Sequence, residues 1–243
     1  MMEETGTDIK TQTTKTPEMK LPYIVCHMMS SVDGRIDCAM TEKIDNSDTY
    51  YECLDSLRPD ACLEGRVSRQ IHYALPEPFE AADRKPIGTE SVSNVTHEGR
   101  IEIAVDTHGS LRWPESAAAD NLLVVTDENC PKEYHDYLDS IGVSYIATGK
   151  NGIDFGRMAE ILAEKFGVKR LAVVGGGHIN GAFLAAGLLD EVSVMIGAGI
   201  DGRAGMAAVF DGLPMDAPTT LLTLKSVDRV SDNTVWLRYT LGR

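Results

Sequence analysis

Short apolar runs alternate with amphipathic stretches in the second half of the chain, and this alternation restricts the fold more than any other feature. The runs are rich in Val, Ile and Leu and cover residues 121–126, 143–148, 170–175 and 191–197. Helical patterns lie between them, at about 131–140, 154–167 and 178–188. Continuous apolar strands separated by helices are typical of a parallel sheet with both faces covered. The pattern therefore predicts an α/β fold with a mostly parallel central sheet.

The first and last parts of the chain add strands to this plan. Three further apolar runs cover residues 23–29, 60–65 and 100–106. Near the end, two alternating runs flank Ser231, Asp232 and Asn233, which indicates a hairpin that adds antiparallel strands to the sheet edge. The segment from Leu75 to Gly99 has three prolines and little periodicity. We expect a long loop there, of a length that is usually functional or mobile.

Length and composition predict the domain organisation of the chain. With 243 residues, 43% of them hydrophobic, the chain can bury one large core. Residues 1–18 are rich in Thr, Lys and Glu, have almost no large apolar side chains and do not resemble a targeting peptide. We therefore predict a disordered tail over 1–18 and a single domain over 19–243.

Charge and cysteine content exclude several functional classes. The formal net charge is −14 and no Lys/Arg cluster offsets it, which disfavours nucleic acid and anionic membranes as partners. No run reaches the roughly 18 apolar residues that a membrane helix needs. The five cysteines form no C-x-x-C pair and their number is odd, so the sequence indicates neither a zinc ribbon nor a disulfide framework. We expect a soluble cytoplasmic protein without a metal site.

The segment "VVGGGHINGAFLAAGLLDEV" begins as a buried strand, turns on Gly175, Gly176 and Gly177, and continues as a helix. Backbone N–H groups and the positive end of the helix dipole converge on such a turn, and glycines let a phosphate approach closely. The spacing is not the dinucleotide fingerprint G-x-G-x-x-G, because Asn180 takes the place of its third glycine. At the end of the next strand, Gly197 stands where a ribose-binding carboxylate would be needed. These two differences disfavour an ordinary NAD-type Rossmann domain, and the alternative to phosphate binding is a tight turn that serves packing alone.

Five segments, in order and at the expected spacing, resemble one known family. They read "PYIVCHMMSSVDGRI", "LRPDACLEGRVS", "IEIAVDTHGSL", "LLVVTDE" and "GVKRLAVVGGGHINGAFLAAGLLDEV". Together they resemble the reductase domain of riboflavin biosynthesis, a relative of dihydrofolate reductase, over about residues 20–243. The resemblance implies a dihydrofolate-reductase-like three-layer α/β/α fold, a homodimer and NADPH as cofactor. It also implies a small-molecule substrate, since family members reduce a ribosylamino-pyrimidine 5′-phosphate to its ribitylamino form.

The same resemblance assigns residues to the cofactor. Gly175 and the segment from Gly176 to Gly181, which includes His178 and Ile179, resemble the family's pyrophosphate-binding turn. An imidazole at His178 can touch a phosphate, and the alternative is a packed or solvent-facing ring. Gly65, Arg66 and Ser68 resemble a second phosphate-facing turn, in which Ser68 caps the following helix and Arg66 offers a planar donor fork. The alternative for Arg66 is a solvated arginine at a helix start.

Two further cofactor contacts are implied at strand ends. Asp106 and Thr107 end the run at 100–106 and resemble a cofactor-contacting pair. Thr126 closes "LLVVT", where the adenosine side is expected. The alternative is that Thr126, or its neighbour Asp127, serves as N-cap of the helix at about residue 131.

On the substrate side, Ser31 and Asp33 belong to a Ser-Val-Asp-Gly turn that matches the family's Ser-Leu-Asp-Gly turn. We expect Asp33 or a bound water to supply the proton for reduction, and the alternative for Asp33 is a plain turn residue. Arg58 matches an arginine that the family assigns to the substrate phosphate, and its alternative is an ion pair with Asp55 or Asp60. Cys26 and His27 are strand neighbours on opposite faces, so they cannot share a metal.

The chain departs from the family pattern at two places on the substrate side. A glutamate expected at the end of the last parallel strand is replaced by Gly175, and the pattern Asp-Asp-Pro-x-Leu-Thr-x-Arg is absent, with "IHYALPEPFE" in its place. These departures leave three alternatives open. They are a family member that reduces another compound, an NADP-binding module without this activity, and a structural homodimer with empty glycine turns.

Overall fold

The computed structural model describes residues 21–45, 47–93 and 98–242. The strands are β1 (Tyr23–Ser30), β2 (Ala61–Gly65), β3 (Ser91–Ser93), β4 (Ile101–Val105), β5 (Leu122–Thr126), β6 (Ser144–Ala147), β7 (Arg170–Val173), β8 (Glu191–Gly197), β9 (Thr223–Arg229) and β10 (Thr234–Thr240). The helices are α1 (Cys38–Ile44), α2 (Ser47–Ser56), α3 (Arg66–His72), α4 (Lys132–Ser140), α5 (Phe155–Phe166) and α6 (Gly177–Ala185), with a 3₁₀ turn at Glu115–Ala118. The predicted tail, residues 1–18, lies outside the described residues.

Within these ranges the strands form one sheet in the order β3-β6-β5-β4-β2-β7-β1-β8-β10-β9. All pairs from β6 to β8 in this order are parallel, whereas β3 and the pair β9 and β10 run antiparallel. All seven predicted apolar runs are strands of this sheet, and the hairpin predicted around residues 231–233 joins β9 to β10. None of the helices described is long and apolar enough to cross a membrane.

The two faces of the sheet carry separate parts of the core. Along β1, Cys26 belongs to a cluster that includes Met158 of α5 and Phe183 of α6. Its neighbour Val25 points to the opposite face and packs with Leu54 of α2. On that second face, Val124 of β5 packs with side chains of α4, among them Tyr134 and Leu138. Helices therefore cover both faces, and the predicted three-layer α/β/α fold is confirmed.

The local sequence of α5 explains where this helix begins and ends and which face it buries. Its buried stripe contains Met158, Ile161 and Leu162, which recur at helical spacing. At the start, the Asp154 carboxylate accepts the N–H of Arg157, and at the end Gly167 adopts a left-handed φ of 69°. A capping carboxylate and a left-handed glycine are the usual start and stop signals of a helix. The predicted range of 154–167 is confirmed for this reason.

The loop predicted from Leu75 to Gly99 is partly structured, which corrects that prediction. Its residues Ser91–Ser93 form β3 and pair with β6 at the sheet edge. Before β3, the N–H of Ile87 donates to the carbonyl of Cys130 at 3.0 Å, and the N–H of Gly88 donates to the carbonyl of Glu128 at 2.9 Å. Three residues of strand are too short to give a periodic signal, so the sequence pattern misses β3.

Candidate active site

The two glycine turns that the sequence singles out lie side by side. β2 and β7 are neighbours in the sheet, so their carboxyl ends meet at the same edge. The N–H of Gly65 donates to the carbonyl of Gly175 at 2.9 Å, and the N–H of Val174 donates to the carbonyl of Leu63 at 2.8 Å. Ligands of parallel α/β sheets bind at this edge, outside the carboxyl ends of the strands.

The turn from Gly175 to Gly177 leaves room for a ligand on one side only. A Cβ built on Gly176 meets no atom within 4 Å, whereas one on Gly177 lies 2.3 Å from the carbonyl oxygen of Ala208. Gly176 is the N-cap of α6, and no side chain caps that helix. In the part of the chain described, no acceptor takes the N–H of Gly177, His178 or Ile179. Open space, free donors and a helix N-terminus together fit a pyrophosphate.

Some residues around this turn pack against the protein, and others are exposed to solvent. Ile179 packs on the second turn, since a Cβ on Gly65 would lie 3.0 Å from its Cγ1. His178 is exposed and lies against Gly212. Arg66 is exposed at the first position of α3, directly after Gly65. Helix α3 has Gly65 as its N-cap, so Ser68 lies inside the first turn, and the prediction that Ser68 caps this helix is wrong.

Thr126 does not take either of its predicted roles. Its side chain is fully buried, and its hydroxyl lies 2.9 Å from Nε2 of His135 on α4. The N-cap of α4 is Pro131, while the Asp127 carboxylate accepts the N–H of Asn129 at 2.9 Å. A side chain closed under α4 faces no cofactor, so the prediction for the Thr126 side chain is wrong. Thr107 is half-buried at the strand end and stays a predicted contact.

Asp33 organises a turn through its carboxylate. Its carboxylate accepts the hydroxyl of Ser31 at 2.6 Å and the N–H groups of Asp201 and Gly202 at 3.0 and 2.9 Å. The Ser31 hydroxyl and these backbone donors hold the pKa of Asp33 well below its usual range. The low pKa disfavours Asp33 as the proton donor and leaves the bound water, the other donor that the sequence analysis named. Ser31 is itself buried, and its hydroxyl also accepts the N–H of Arg35, which leaves no free face for the predicted substrate contact.

Arg58 lies at the wrong edge of the sheet for a substrate contact. It precedes β2, and the adjacent N–H of Asp60 donates to the carbonyl of Arg170, the first residue of β7. The five residues of β2, at about 3.3 Å each, put roughly 15 Å between this amino edge and the glycine turns. The alternative ion pairs are also absent from the described structure, because Asp55 pairs with Arg100 and Asp60 accepts the N–H groups of Lys169 and Arg170. Both interpretations of Arg58 are therefore wrong.

A cavity of about 510 Å³ opens beside the glycine turns, on the face of the sheet that carries α2 and α4. Its wall includes Val174, which precedes Gly175, and Ser68 of α3. Beside apolar side chains and the basic His72 and Arg100, the lining contains aromatic rings and acidic groups, namely Tyr50, Tyr51, Tyr73, Glu42, Asp45, Glu64 and Glu102. This composition suits a flat polar ring that carries hydrogen-bond donors.

A buried ion-pair network forms the floor of this cavity. Arg69 of α3 is almost fully buried between two strand carboxylates, with its Nε 2.7 Å from Glu64 and its NH2 3.1 Å from Glu102. Arg100 holds the second oxygen of Glu102 at 3.0 Å. Burial raises the pKa of Glu64, and the Arg69 guanidinium opposes this rise. The sequence analysis missed the network, although single acidic residues inside the apolar runs "ACLEG" and "IEIAV" are its signal.

Comparison with known proteins gives consistent matches over most of the chain. The family model described as the RibD C-terminal domain matches residues 22–236. A 2,5-diamino-6-ribosylamino-4(3H)-pyrimidinone 5′-phosphate reductase of Aquifex aeolicus is 30% identical over 189 residues, covering 73% of this chain and 77% of the relative. The riboflavin biosynthesis protein RibD of Chlamydia muridarum is 29% identical over 80% of this chain. The chain spans about half of that protein, 51% of its length.

A solved structure supports the same fold. A pyrimidine reductase-like protein of Corynebacterium diphtheriae superposes with a TM-score of 0.68 and covers 91% of this chain and 92% of its own. The two sequences are 17% identical, so this likeness concerns the fold alone.

Proposed function

The chain belongs to the RibD C-terminal domain family, and on that premise we propose that it is a reductase of riboflavin biosynthesis. The fold is dihydrofolate-reductase-like. The reaction we propose transfers hydride from NADPH to a ribosylamino-pyrimidine 5′-phosphate and yields the ribitylamino compound. The observation that carries the proposal is the contact between the two glycine turns, at 2.9 Å, beside a cavity of about 510 Å³.

The residues at the sheet edge fit the cofactor. We assign the pyrophosphate to Gly175, Gly176 and the first N–H groups of α6, because this turn has open space and free donors. Arg66, exposed directly after Gly65, is suited to a further phosphate. When bound, NADPH supplies the hydride.

The substrate side needs positioning and one proton. Hydride addition to C1 of an open-chain imine leaves the nitrogen to take up a proton, so no acid–base pair is required. The low pKa of Asp33 disfavours it as the donor of this proton. We therefore assign the proton to a water molecule at the cavity mouth, while the cavity walls exclude bulk water from the ring.

The test is an assay of NADPH oxidation with the ribosylamino-pyrimidine 5′-phosphate, followed at the NADPH absorbance band. We expect turnover, and we expect NADPH to bind at least about tenfold more tightly than NADH, since a charge-assisted phosphate contact is worth roughly 1.5–3 kcal/mol. Asp106 and Asp127 are buried and accept N–H groups of their own turns, so neither carboxylate is free to bind a ribose hydroxyl as an NAD site requires.

Arg66→Ala should reduce the preference for NADPH over NADH, and Arg58→Ala is the matched control at the opposite edge. Equal affinity for the two cofactors contradicts the 2′-phosphate assignment. Cofactor binding without oxidation of NADPH by this substrate contradicts the proposed reaction.

A second candidate, reduction of a different compound, is favoured by the missing substrate contacts. Gly175 replaces the family glutamate, the Asp-Asp-Pro pattern is absent and Arg58 lies at the amino edge. The same assay with a panel of other amino-heterocycles separates this candidate from the first.

We also propose that the protein is a homodimer joined through the outer hairpin. β9 is an edge strand, and Leu222, Leu224 and Val227 on or beside it are exposed, as is Val235 on β10. Unpaired edge strands with exposed apolar side chains readily pair with another chain. Sedimentation equilibrium should therefore give twice the 26.4 kDa chain mass, and Val227→Lys should give the monomer. A wild-type monomer at micromolar concentration contradicts the proposal.

A cytoplasmic location is proposed from the cysteines. All five are free thiols, and four of them are buried in the fold. Such thiols persist in a reducing compartment. Recovery of the protein in the periplasmic or secreted fraction of its cell contradicts this location.

A further inference from the structure

Glu64 presents an unused carboxylate oxygen to the cavity. It is the fourth residue of β2 and points to the face that carries the cavity, and its side chain is 14% exposed. One oxygen, Oε1, lies 2.7 Å from Nε of Arg69. Among the described residues, no donor hydrogen-bonds Oε2. Because Glu64 lines the cavity, a bound ligand can donate a hydrogen bond to this oxygen.

The other carboxylates of the wall differ from Glu64. Glu102 is engaged at both oxygens, by Arg69 and by Arg100. Asp45 accepts the hydroxyl groups of Ser231 and Thr234. Glu42 is exposed on α1. Glu64 is therefore the group in the described cavity wall that is best placed to accept from a bound ring.

The position of Glu64 relates this acceptor to the proposed reaction. It directly precedes Gly65, whose N–H contacts Gly175. A ring held by Glu64 therefore lies beside the turn that we assign to the cofactor. This arrangement suits a substrate whose ring is recognised in the cavity while its sugar chain is reduced at the sheet edge.

Two substrates of the pathway class differ at the ring edge that a carboxylate reads. A 2-amino-4-oxo-pyrimidine presents two adjacent donors, the ring N3–H and the 2-amino group. Its deaminated counterpart, a uracil, presents N3–H beside the 2-carbonyl oxygen. An ionised carboxylate only accepts, so it pairs with the first edge and repels the carbonyl of the second.

We propose that Glu64 selects the 2,5-diamino-pyrimidinone substrate over the corresponding amino-uracil, by accepting hydrogen bonds from the 2-amino group and N3–H in this cavity. The proposal rests on the proposed function, because it concerns the ring that the reductase binds. A site built around a hydrogen bond rejects the analogue that cannot make it.

The experiment compares kcat/KM for 2,5-diamino-6-ribosylamino-4(3H)-pyrimidinone 5′-phosphate and 5-amino-6-ribosylamino-uracil 5′-phosphate. We expect the wild-type protein to favour the diamino compound by at least about tenfold, as expected for loss of a hydrogen bond to a charged group. Glu64→Gln should reduce this ratio to about threefold or less, chiefly by slowing the diamino compound, with the NADPH Kd within about twofold of wild type.

Glu102→Gln is the matched control. It removes the other carboxylate that pairs with Arg69, yet both oxygens of Glu102 are already engaged, so the substrate ratio should stay near the wild-type value. A ratio that falls equally in both variants overturns the assignment to Glu64, because it shows that the network as a whole sets the preference.

The remaining outcomes distinguish a failure of this inference from a failure of the proposed function. A wild-type ratio near one, or an unchanged ratio in Glu64→Gln, overturns the inference and leaves the proposed reductase intact. No turnover of either substrate overturns the proposed function and this inference with it. If Glu64→Gln does not fold, calorimetry of the wild-type protein with 2,5,6-triamino-4-pyrimidinone and 5,6-diaminouracil decides, and equal affinity for the two free rings overturns the inference.

Discussion

Gly176→Asp should weaken NADPH binding by at least about 100-fold while the chain still folds. The new carboxylate would occupy the open space that we assign to the pyrophosphate, where a Cβ meets no protein atom. Two unit charges 4 Å apart at a partly exposed site repel by about 4 kcal/mol, which corresponds to roughly a thousandfold in affinity. Solvent screening reduces this value, and the expected loss is set lower for that reason.

Folding should survive because the position accepts the new side chain. Gly176 is the N-cap of α6 with φ of −79°, a conformation open to any L-residue. Aspartate is a preferred N-cap and favours the positive end of the helix dipole. Fluorescence titration with NADPH measures the affinity, and thermal unfolding measures the stability.

Two further variants test whether the loss of NADPH affinity comes from the added charge at Gly176. Gly176→Ala adds a small uncharged group in open space and should bind NADPH within a few-fold of wild type. Gly177→Asp should lose stability instead, because its Cβ would lie 2.3 Å from the carbonyl oxygen of Ala208. Normal NADPH affinity in Gly176→Asp would show that the turn serves packing alone.

His27 should make the protein unstable in acid, by about 3 kcal/mol between pH 6.5 and pH 4. Its ring is fully buried, stacked on Tyr50, and burial lowers its pKa from 6.5 to about 4. Trp236 Nε1 donates to the hydroxyl of Ser193, which in turn lies 2.8 Å from Nδ1 of His27. The other ring nitrogen, Nε2, has no partner in the described structure.

Stability falls in acid because the unfolded chain takes up a proton at His27 before the folded chain does. Below pH 6.5 the unfolded chain binds a proton at this histidine, whereas the folded chain binds it only near pH 4. The free energy of unfolding therefore falls as the pH is lowered through this window and levels off below it. Lowering this pKa from 6.5 to about 4 corresponds to about 3.4 kcal/mol.

Urea unfolding from pH 7.5 to pH 4 measures this effect. His27→Leu should remove most of the slope between pH 6.5 and pH 4, while His108→Gln, at an exposed loop position, should keep it. Other titratable groups also change the free energy of unfolding, so the comparison is between the slopes of that free energy against pH. A slope in His27→Leu equal to that of wild type would show that His27 is not the group responsible.

Local pattern was enough to predict the architecture and to single out the glycine turn. The apolar runs at 170–175 and 191–197 predict strands because a strand buried on both faces must be apolar throughout. Gly175, Gly176 and Gly177 predict the phosphate turn because the strand-turn-helix order is contiguous in the chain. The contact between Gly65 and Gly175 follows only from the neighbouring places of β2 and β7 in the sheet, which no local signal encodes.

The failures share one cause, which is that a residue's role depends on what the fold brings to it from far along the chain. Arg58 seemed near the substrate in sequence, but the direction of β2 puts it at the amino edge. Asp33 became a turn residue because Asp201 and Gly202, some 170 residues later, donate to its carboxylate. Glu64 became a cavity acceptor because Arg69 of α3 pairs with one of its oxygens and leaves the other without a donor at the cavity wall. Sequence alone therefore determined the strands, the helices and the glycine turn, whose causes are local, whereas the tertiary structure decided which charged side chains face a ligand, since burial and pairing are set by distant contacts.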